Sequence, residues 1–419
     1  MRLPYSLAWI ALLPFAFLYL LWRARRQPDY LRHWGERLGL SPVTPKDRPA
    51  IWLHAVSVGE TRAAAPLIQA IRARHPGHAI LLSHGTPTGR ATGRELFGDS
   101  VVQFYLPYDF PPLVRLFLLR SRPALGVIME TEIWPNLYAA CRRRDIPLFL
   151  VNARLSEKSA RGYRRFRMLL APALRGLTGI AAQTRSDSQR LIQLGAETVT
   201  VTGNLKFDVT PPGNTEVATR ELRAAFANRF VFLGASTREG EEAMILDALA
   251  GLDIPDLLIV LVPRHPQRFE SVAALLDARQ LAHGRRGSKQ AMPAGCRVFL
   301  GDSMGEMAAY YAAADLAYVG GSLLPFGGQN LIEAAAMGCP ALIGPHTWNF
   351  DEAAEQAVAC GAARRVADVE ELSRNVESLR RQPDALRSMR AAGLRFAEAN
   401  RGTTERVMGL LEAGLARPR

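Results

Sequence analysis

Short continuous apolar runs recur along most of the chain. In the first half they cover 51–55, 79–83, 101–106, 125–129, 147–151 and 179–182. Amphipathic stretches at helical spacing, such as 61–74, lie between some of them. A second series occupies 230–234, 257–262, 297–300, 316–319 and 341–343. Runs without polar alternation suit strands buried on both faces, and the amphipathic helices supply their cover. The pattern predicts an α/β fold with mostly parallel sheets. Between the two series, 210–216 (Thr-Pro-Pro-Gly-Asn-Thr-Glu) reads as a linker. The expected domains are 27–209 and 217–419, similar in architecture without a sequence repeat. Two such domains facing each other would leave a cleft with strand ends pointing into it.

The N-terminal pattern is different. Residues 3–22 carry no formal charge, and Arg23, Arg25, Arg26 and Arg32 follow. Such a run is just long enough for a hydrocarbon core about 30 Å thick. The arginines favour a cytoplasmic C-terminal side. No small-residue cleavage site precedes them, which argues against a cleaved signal peptide. Residues 1–26 are therefore expected to be a membrane anchor. Pro4 and Pro14 keep open a helix lying in the interface.

Polar residues gather where the apolar runs end. The run 316–319 leads into Gly320, Gly321 and Ser322, then Gly327, Gly328, Gln329 and Asn330, and a helix is predicted over 331–337 with Gly338 as its stop. A strand, a glycine-rich turn and a helix together aim backbone N–H groups at an anion, and Glu333 could accept a ribose hydroxyl. A tight connection would use the same glycines, and no full G-x-G-x-x-G is present. Glu60 follows the run 51–55 and reads either as a catalytic carboxylate or as a complement to the helix dipole. Glu130 and Glu132 follow 125–129, one potentially catalytic and the other a cap. Residues 152–156 open a basic stretch with Lys158, Arg161, Arg164, Arg165 and Arg167, suited to a solvated face or to a phosphorylated acceptor. Lys206 reads as a surface charge or a catalytic group. In the second half, 234–239 could bind an anion, Arg264 can pair with phosphate through two hydrogen bonds, and His265 by itself fits a structural role.

Composition narrows the partner. The 419 residues are 48% hydrophobic and 22% charged, with a formal net charge of +13. That describes a globular, basic protein with an anionic partner. The arginines form no long tract, and zinc-finger spacing and aromatic RNA-binding motifs are absent, so nucleic acid is not expected. Four cysteines without C-x-x-C spacing suit reduced thiols. No metal-ligand cluster is visible.

Taken together, segments 54–60, 129–136, 152–156, 202–208, 263–269, 301–306, 320–333 and 344–350 resemble, in the same order, those of the 3-deoxy-D-manno-octulosonic acid (Kdo) transferases of lipid A assembly. The resemblance implies a GT-B glycosyltransferase of two Rossmann-like domains, with CMP-Kdo as donor and a phosphorylated lipid A precursor as acceptor. It implies an inner-membrane enzyme with its domains on the cytoplasmic side. Glu60 would be the general base, and Glu130 and Lys206 would support the transition state. CMP contacts would fall on Arg264, His265, Met304, Gly305, Glu306, Asn330, Leu331, Ile332 and Glu333. Close relatives often have proline where this chain has Leu331. CMP is a good leaving group, so transfer is expected to need no metal or cofactor. Glu60, with an ordinary pKa of about 4.3, would be ionised at neutral pH without special tuning. Two other classes share parts of the pattern: another nucleotide-sugar transferase or epimerase of the same fold, and a non-enzymatic basic membrane-associated binding protein.

Overall fold

The computed structural model describes residues 2–25, 27–41, 48–288, 292–293 and 295–416. It forms two compact units, Met1–Val209 with Arg401–Arg419, and Thr210–Asn400.

In the first unit β1 (Ala50–His54), β2 (Ala79–His84), β3 (Val102–Tyr105), β4 (Pro123–Met129), β5 (Leu148–Ala153), β6 (Gly179–Ala182) and β7 (Val199–Val201) make one parallel sheet. Its order is β3-β2-β1-β4-β5-β6-β7. Every residue of β1, β4, β5 and β6 is buried, as the unbroken apolar runs require. Alternation sends Trp52 to one core and its neighbours Ile51 and Leu53 to the other. Helix α2 (Val58–Arg74) fills the second core with Leu67, Ile68 and Ile71, and α3 (Pro87–Phe97) packs beside it. The first core takes Val114, Phe117 and Leu118 from α4 (Pro111–Ser121), and Leu137, Tyr138 and Cys141 from α5 (Pro135–Arg142). Each such side chain contributes about 1.5–3 kcal/mol on leaving water.

The second unit repeats the plan with β8 (Phe230–Thr237), β9 (Leu257–Pro263), β10 (His283–Arg285), β11 (Val298–Leu300), β12 (Leu316–Val319), β13 (Ala341–Ile343) and β14 (Ala363–Arg365). The order is β10-β11-β9-β8-β12-β13-β14, again parallel throughout. The strands that the apolar pattern missed, β7, β10 and β14, have three residues each and lie at sheet edges. An edge strand needs no apolar residue on every side, so Thr200, His283 and Arg364 are tolerated there.

The expected second domain, 217–419, extends too far at its C-terminal end. The last helix, Thr403–Leu415, belongs to the first unit. Its apolar face, Val407, Met408 and Leu411, enters the core on the α2 side of that unit's sheet. Asp208 accepts hydrogen bonds at its start from the N–H of Gly402, at 2.8 Å, and of Thr404, at 2.5 Å. Nothing local to 403–415 marks that distant partner.

Helix α1 (Arg2–Ala24) runs through Pro14 without interruption and is long and apolar enough to cross a membrane. Arg26, expected just beyond it, lies outside the described residues. One side of α1 rests on the first unit. Tyr5 donates to Asp109 at 2.9 Å and Ser6 to Asn136 at 3.0 Å. Trp9 packs on Tyr108, and Phe17 on Tyr108 and Trp34. Leu3, Leu7, Ile10, Phe15, Leu18, Leu21 and Trp22 remain exposed.

Both sheets reverse their strand order at one point, between β1 and β4 in the first and between β8 and β12 in the second. The crevice outside the carboxyl ends of such neighbours is where open α/β sheets receive ligands. Most of the expected site residues fall on the loops leaving these strands or their neighbours, whereas Lys206 follows the edge strand β7 and Met304, Gly305 and Glu306 follow β11.

Candidate active site

Glu60 sits in the first turn of α2, directly after β1. Ser57 is the N-cap: its hydroxyl accepts the Glu60 N–H at 3.4 Å and donates to Glu60 Oε1 at 2.9 Å, while the Val56 N–H donates to Oε2 at 2.8 Å. This is a capping-box arrangement, legible as Ser-x-x-Glu. The helix-start role considered for Glu60 is therefore real, and it holds the carboxylate in one orientation. A Cβ built on neighbouring Gly59 would meet nothing nearer than Ser57 Oγ at 3.9 Å, so the first turn of α2 is uncrowded at that position.

The carboxyl is not an ordinary one. Burial first, and then the charge of Glu130, raise its pKa to about 7, against the pull of its hydrogen bonds to Val56 and Ser57. The expectation of an untuned, fully ionised Glu60 at neutral pH is overturned. Sequence position could not report the desolvation.

Glu130 leaves β4 with φ of 55°, a left-handed conformation costly for a side chain with Cβ. Its N–H remains tied to Val151 O at 2.9 Å, and its carboxylate lies 3.5 Å from Lys206 Nζ. Lys206 is thus a partner of Glu130, not an isolated surface charge. The turn carrying it, Leu205–Asp208, is started by Asn204, whose side chain accepts the Lys206 N–H at 3.0 Å. Asn152, at φ of 56°, accepts the Leu205 N–H at 3.0 Å from the end of β5. Here lies the task of the 152–156 motif that the residue pattern left open: Asn152 positions the lysine turn. Glu132 is likewise raised to about 7, by burial and then by Glu130. Within the first unit, Glu130 therefore meets Lys206 and acts on both Glu60 and Glu132. The basic stretch beyond them is partly a solvated network, because Arg161, Arg164 and Arg190 all surround Glu157.

The second unit gathers cations at its own reversal point. Arg264, after β9, donates to Gln329 Oε1 at 3.0 Å. His265 Nε2 lies 3.0 Å from Arg238 Nη1, and Arg238 stacks over the Phe326 ring at 4.6 Å. Burial, followed by Arg238, Arg264 and Arg268, lowers the pKa of His265, so it is held toward the neutral form. The glycine-rich turn approaches β8 closely: a Cβ at Gly320 would come within 2.4 Å of Ser236 O. Gly321, Gly327 and Gly328 all take positive φ, where glycine carries no steric cost.

Glu241 and Glu242, which sequence reading passed over, organise this region. Glu241, fully buried, accepts the Tyr318 hydroxyl at 2.6 Å, the Gly321 N–H at 2.7 Å and the Arg238 N–H at 2.8 Å. Glu242 accepts the Thr237 hydroxyl at 2.6 Å and holds Arg268 through two bonds of 2.6 and 2.9 Å. An adjacent carboxylate pair just after Gly240, at the start of a helix, was the available signal.

The remaining expected contacts divide. Asn330 caps the helix Leu331–Ala336 through the Ile332 N–H at 3.2 Å, and Glu333 occupies its first turn. The Leu331 and Ile332 side chains are buried in the core, so only their backbone can meet a ligand. Met304 is exposed and Gly305 has open space around it, but the Glu306 carboxylate is held by Arg286 at 2.7 and 3.0 Å. Among the described residues no group of three or more His, Cys, Asp or Glu is placed to hold a metal ion.

Residues 32–209 match the family model described as 3-deoxy-D-manno-octulosonic-acid transferase (kdotransferase). A 3-deoxy-D-manno-octulosonic acid transferase of Bordetella pertussis is 44% identical over 97% of this chain and 98% of its own length. The enzyme of the same name from Haemophilus influenzae is 36% identical over 94% and 93%. Among solved structures, a UDP-GlcNAc 2-epimerase from Neisseria meningitidis superposes with a TM-score of 0.61 at 14% identity, covering 87% of this chain and 100% of the other. That likeness is one of fold.

Proposed function

The chain belongs to the 3-deoxy-D-manno-octulosonic acid (Kdo) transferases and is a glycosyltransferase, and on that premise we propose that it moves Kdo from CMP-Kdo to a phosphorylated lipid A precursor, with Glu60 as general base. The observation that carries the catalytic part is the convergence of Glu60, Glu130 and Lys206 beside the β1/β4 reversal point. An acceptor hydroxyl must lose a proton as it attacks the sugar. Glu60 is oriented by its cap next to the uncrowded Gly59, with a pKa near 7 that suits proton uptake at neutral pH. Glu130 keeps that pKa high and holds Lys206, whose ammonium can offset negative charge as the bond to CMP breaks.

On the donor side, the CMP phosphate would take Arg264 and His265, with backbone at Met304 and Gly305. The start of the helix Leu331–Ala336, with Asn330, Glu333 and the Leu331–Ile332 backbone, would take the sugar of the nucleotide. The half-buried guanidiniums of Arg238 and Arg264, both acting on the exposed His265, support this reading. Glu306 would act through Arg286, which occupies its carboxylate. Cationic stabilisation and the leaving-group quality of CMP support transfer without a metal. The apolar helix α1 and the basic net charge support an inner-membrane site with both units on the cytoplasmic side.

The test is incubation with CMP-Kdo and a lipid A precursor in the presence of EDTA, with mass spectrometry of the lipid. One or more Kdo additions are expected, with inhibition by CMP and none by UDP. An unmodified lipid from folded protein, or protection by UDP, would sink the reading.

A further inference from the structure

A groove of about 980 Å³ lies in the first unit where α1 meets α4 and α5. Arg2, Arg115, Arg143 and Arg144 line it. Elsewhere arginines of this chain commonly meet a carboxylate, as Arg90 meets Glu36 at 2.6 Å. Among the described residues none of these four has a carboxylate within ion-pair distance. The nearest acid to influence Arg2 is Asp109, which is buried and occupied by the N–H groups of Asn136 and Leu137 and by Tyr5. Arg2 also feels like charge from Arg143 and Arg142. Gathering guanidiniums without a counter-charge costs free energy, and an anion removes that cost.

The rest of the wall is apolar. Leu116 and Leu119 of α4 line the groove together with Leu3, and Leu3 begins the exposed apolar stripe of α1. A helix docked along its length on the unit cannot also cross a bilayer. Tyr5 and Phe17, about 18 Å apart along the axis, both touch the body of the unit. With both ends of the helix held at one surface, its free face is directed outward along its whole length. This is the geometry of an interfacial helix.

We propose that this groove is a binding site for one anionic phospholipid of the bilayer, its phosphate on the arginines and an acyl chain along Leu116, Leu119 and the exposed stripe of α1. Charge complementarity selects the headgroup, and the continuous apolar wall selects a lipid over free phosphate. The site is separate from the proposed acceptor chemistry. Glu60 is carried by α2, which packs on the other face of the sheet from α4 and α5. Occupancy would hold α1 flat on the membrane, with the Tyr5–Asp109 contact intact.

The experiment is native mass spectrometry of the full chain released from detergent, with phosphatidylglycerol or phosphatidylcholine added. The wild type is expected to retain one phosphatidylglycerol and no phosphatidylcholine. Arg115→Ala with Arg143→Ala and Arg144→Ala should reduce retention at least tenfold. A control of equal charge loss, Arg220→Ala with Arg374→Ala and Arg395→Ala, all exposed on the second unit, should leave it unchanged. Leu116→Asp should also lose the lipid while the fold, checked by thermal unfolding, persists. Equal retention by the groove variant, equal loss in the control, indifference to headgroup, or complete displacement by millimolar inorganic phosphate would each overturn the site.

Discussion

The two units share a parallel seven-stranded plan, yet their strand-order reversals carry opposite electrostatics. In the first, acids outnumber their partners: Glu60, Glu130 and Glu132 lie together with Lys206 as the paired cation, and two carboxyls are pushed up to about 7. In the second, Glu241 and Glu242 are fully buried and saturated with donors, while Arg238 and Arg264 are half-buried and His265 is exposed. A carboxylate saturated with donors is scaffold; one with a repelling neighbour and fewer donors is poised for proton transfer. In the proposed reading the same fold thus presents a proton acceptor in one unit and an anion receptor in the other. Donor count around each acid makes the difference.

The largest expected effect is on the poised side. Glu60→Gln should lower the transfer rate by about 10²–10⁴-fold, measured as Kdo-lipid formed under saturating substrates. Stability should hold or rise, because the amide removes the repulsion from Glu130. Near-normal turnover would return Glu60 to its capping role and make Glu130 the next carboxylate to test. On the receptor side, Arg264→Ala should weaken CMP by roughly 10- to 150-fold, the equivalent of losing a charge-assisted bond of about 1.5–3 kcal/mol. Calorimetry with CMP reads it directly, and unchanged affinity would remove Arg264 from the site.

The same chemical change on the scaffold acid should have the opposite sign from that at Glu60. Glu241→Gln replaces one oxygen by a donor facing backbone N–H groups, so about 1–3 kcal/mol of stability should be lost. Thermal unfolding should then begin roughly 2–10 °C lower, and equal melting of the two Gln variants would erase the distinction drawn between them. The smallest effect is a displacement on the pH axis. Transfer should rise with pH through about 7 as Glu60 loses its proton, and Glu130→Gln should move that midpoint lower by removing the second cause of the shift. Stability runs the other way. Folded Glu60 and Glu132 hold protons more tightly than an unfolded carboxyl of ordinary value 4.5, so their contribution is full below that pH and lost as pH rises through about 7. A rate that is flat from pH 5 to 8 would contradict the pKa and the base together.

Much of the fold was legible because its causes are local. Central strands buried on both faces appear as apolar runs, and Ser57-x-x-Glu60 marks the start of α2. Edge strands escaped because their three residues need no such pattern. Glu130 and Lys206 were picked out separately, but nothing in 130 or 206 reports a 3.5 Å contact across three strands of the sheet. Glu241 and Glu242 went unread because a buried acid looks like a solvated one until its donors are counted.

The order of apolar runs, the linker, the apolar N-terminal stretch and the motif residues at strand ends were determined by the sequence itself, since periodicity and turn chemistry act over a few neighbouring residues. The tertiary structure decided which strand ends become neighbours, which unit receives the last helix, which side of α1 is docked, and where the proton on Glu60 is held. Those outcomes depend on burial and on charges brought close from distant positions. Desolvation and Coulomb energy exist only once the chain has packed.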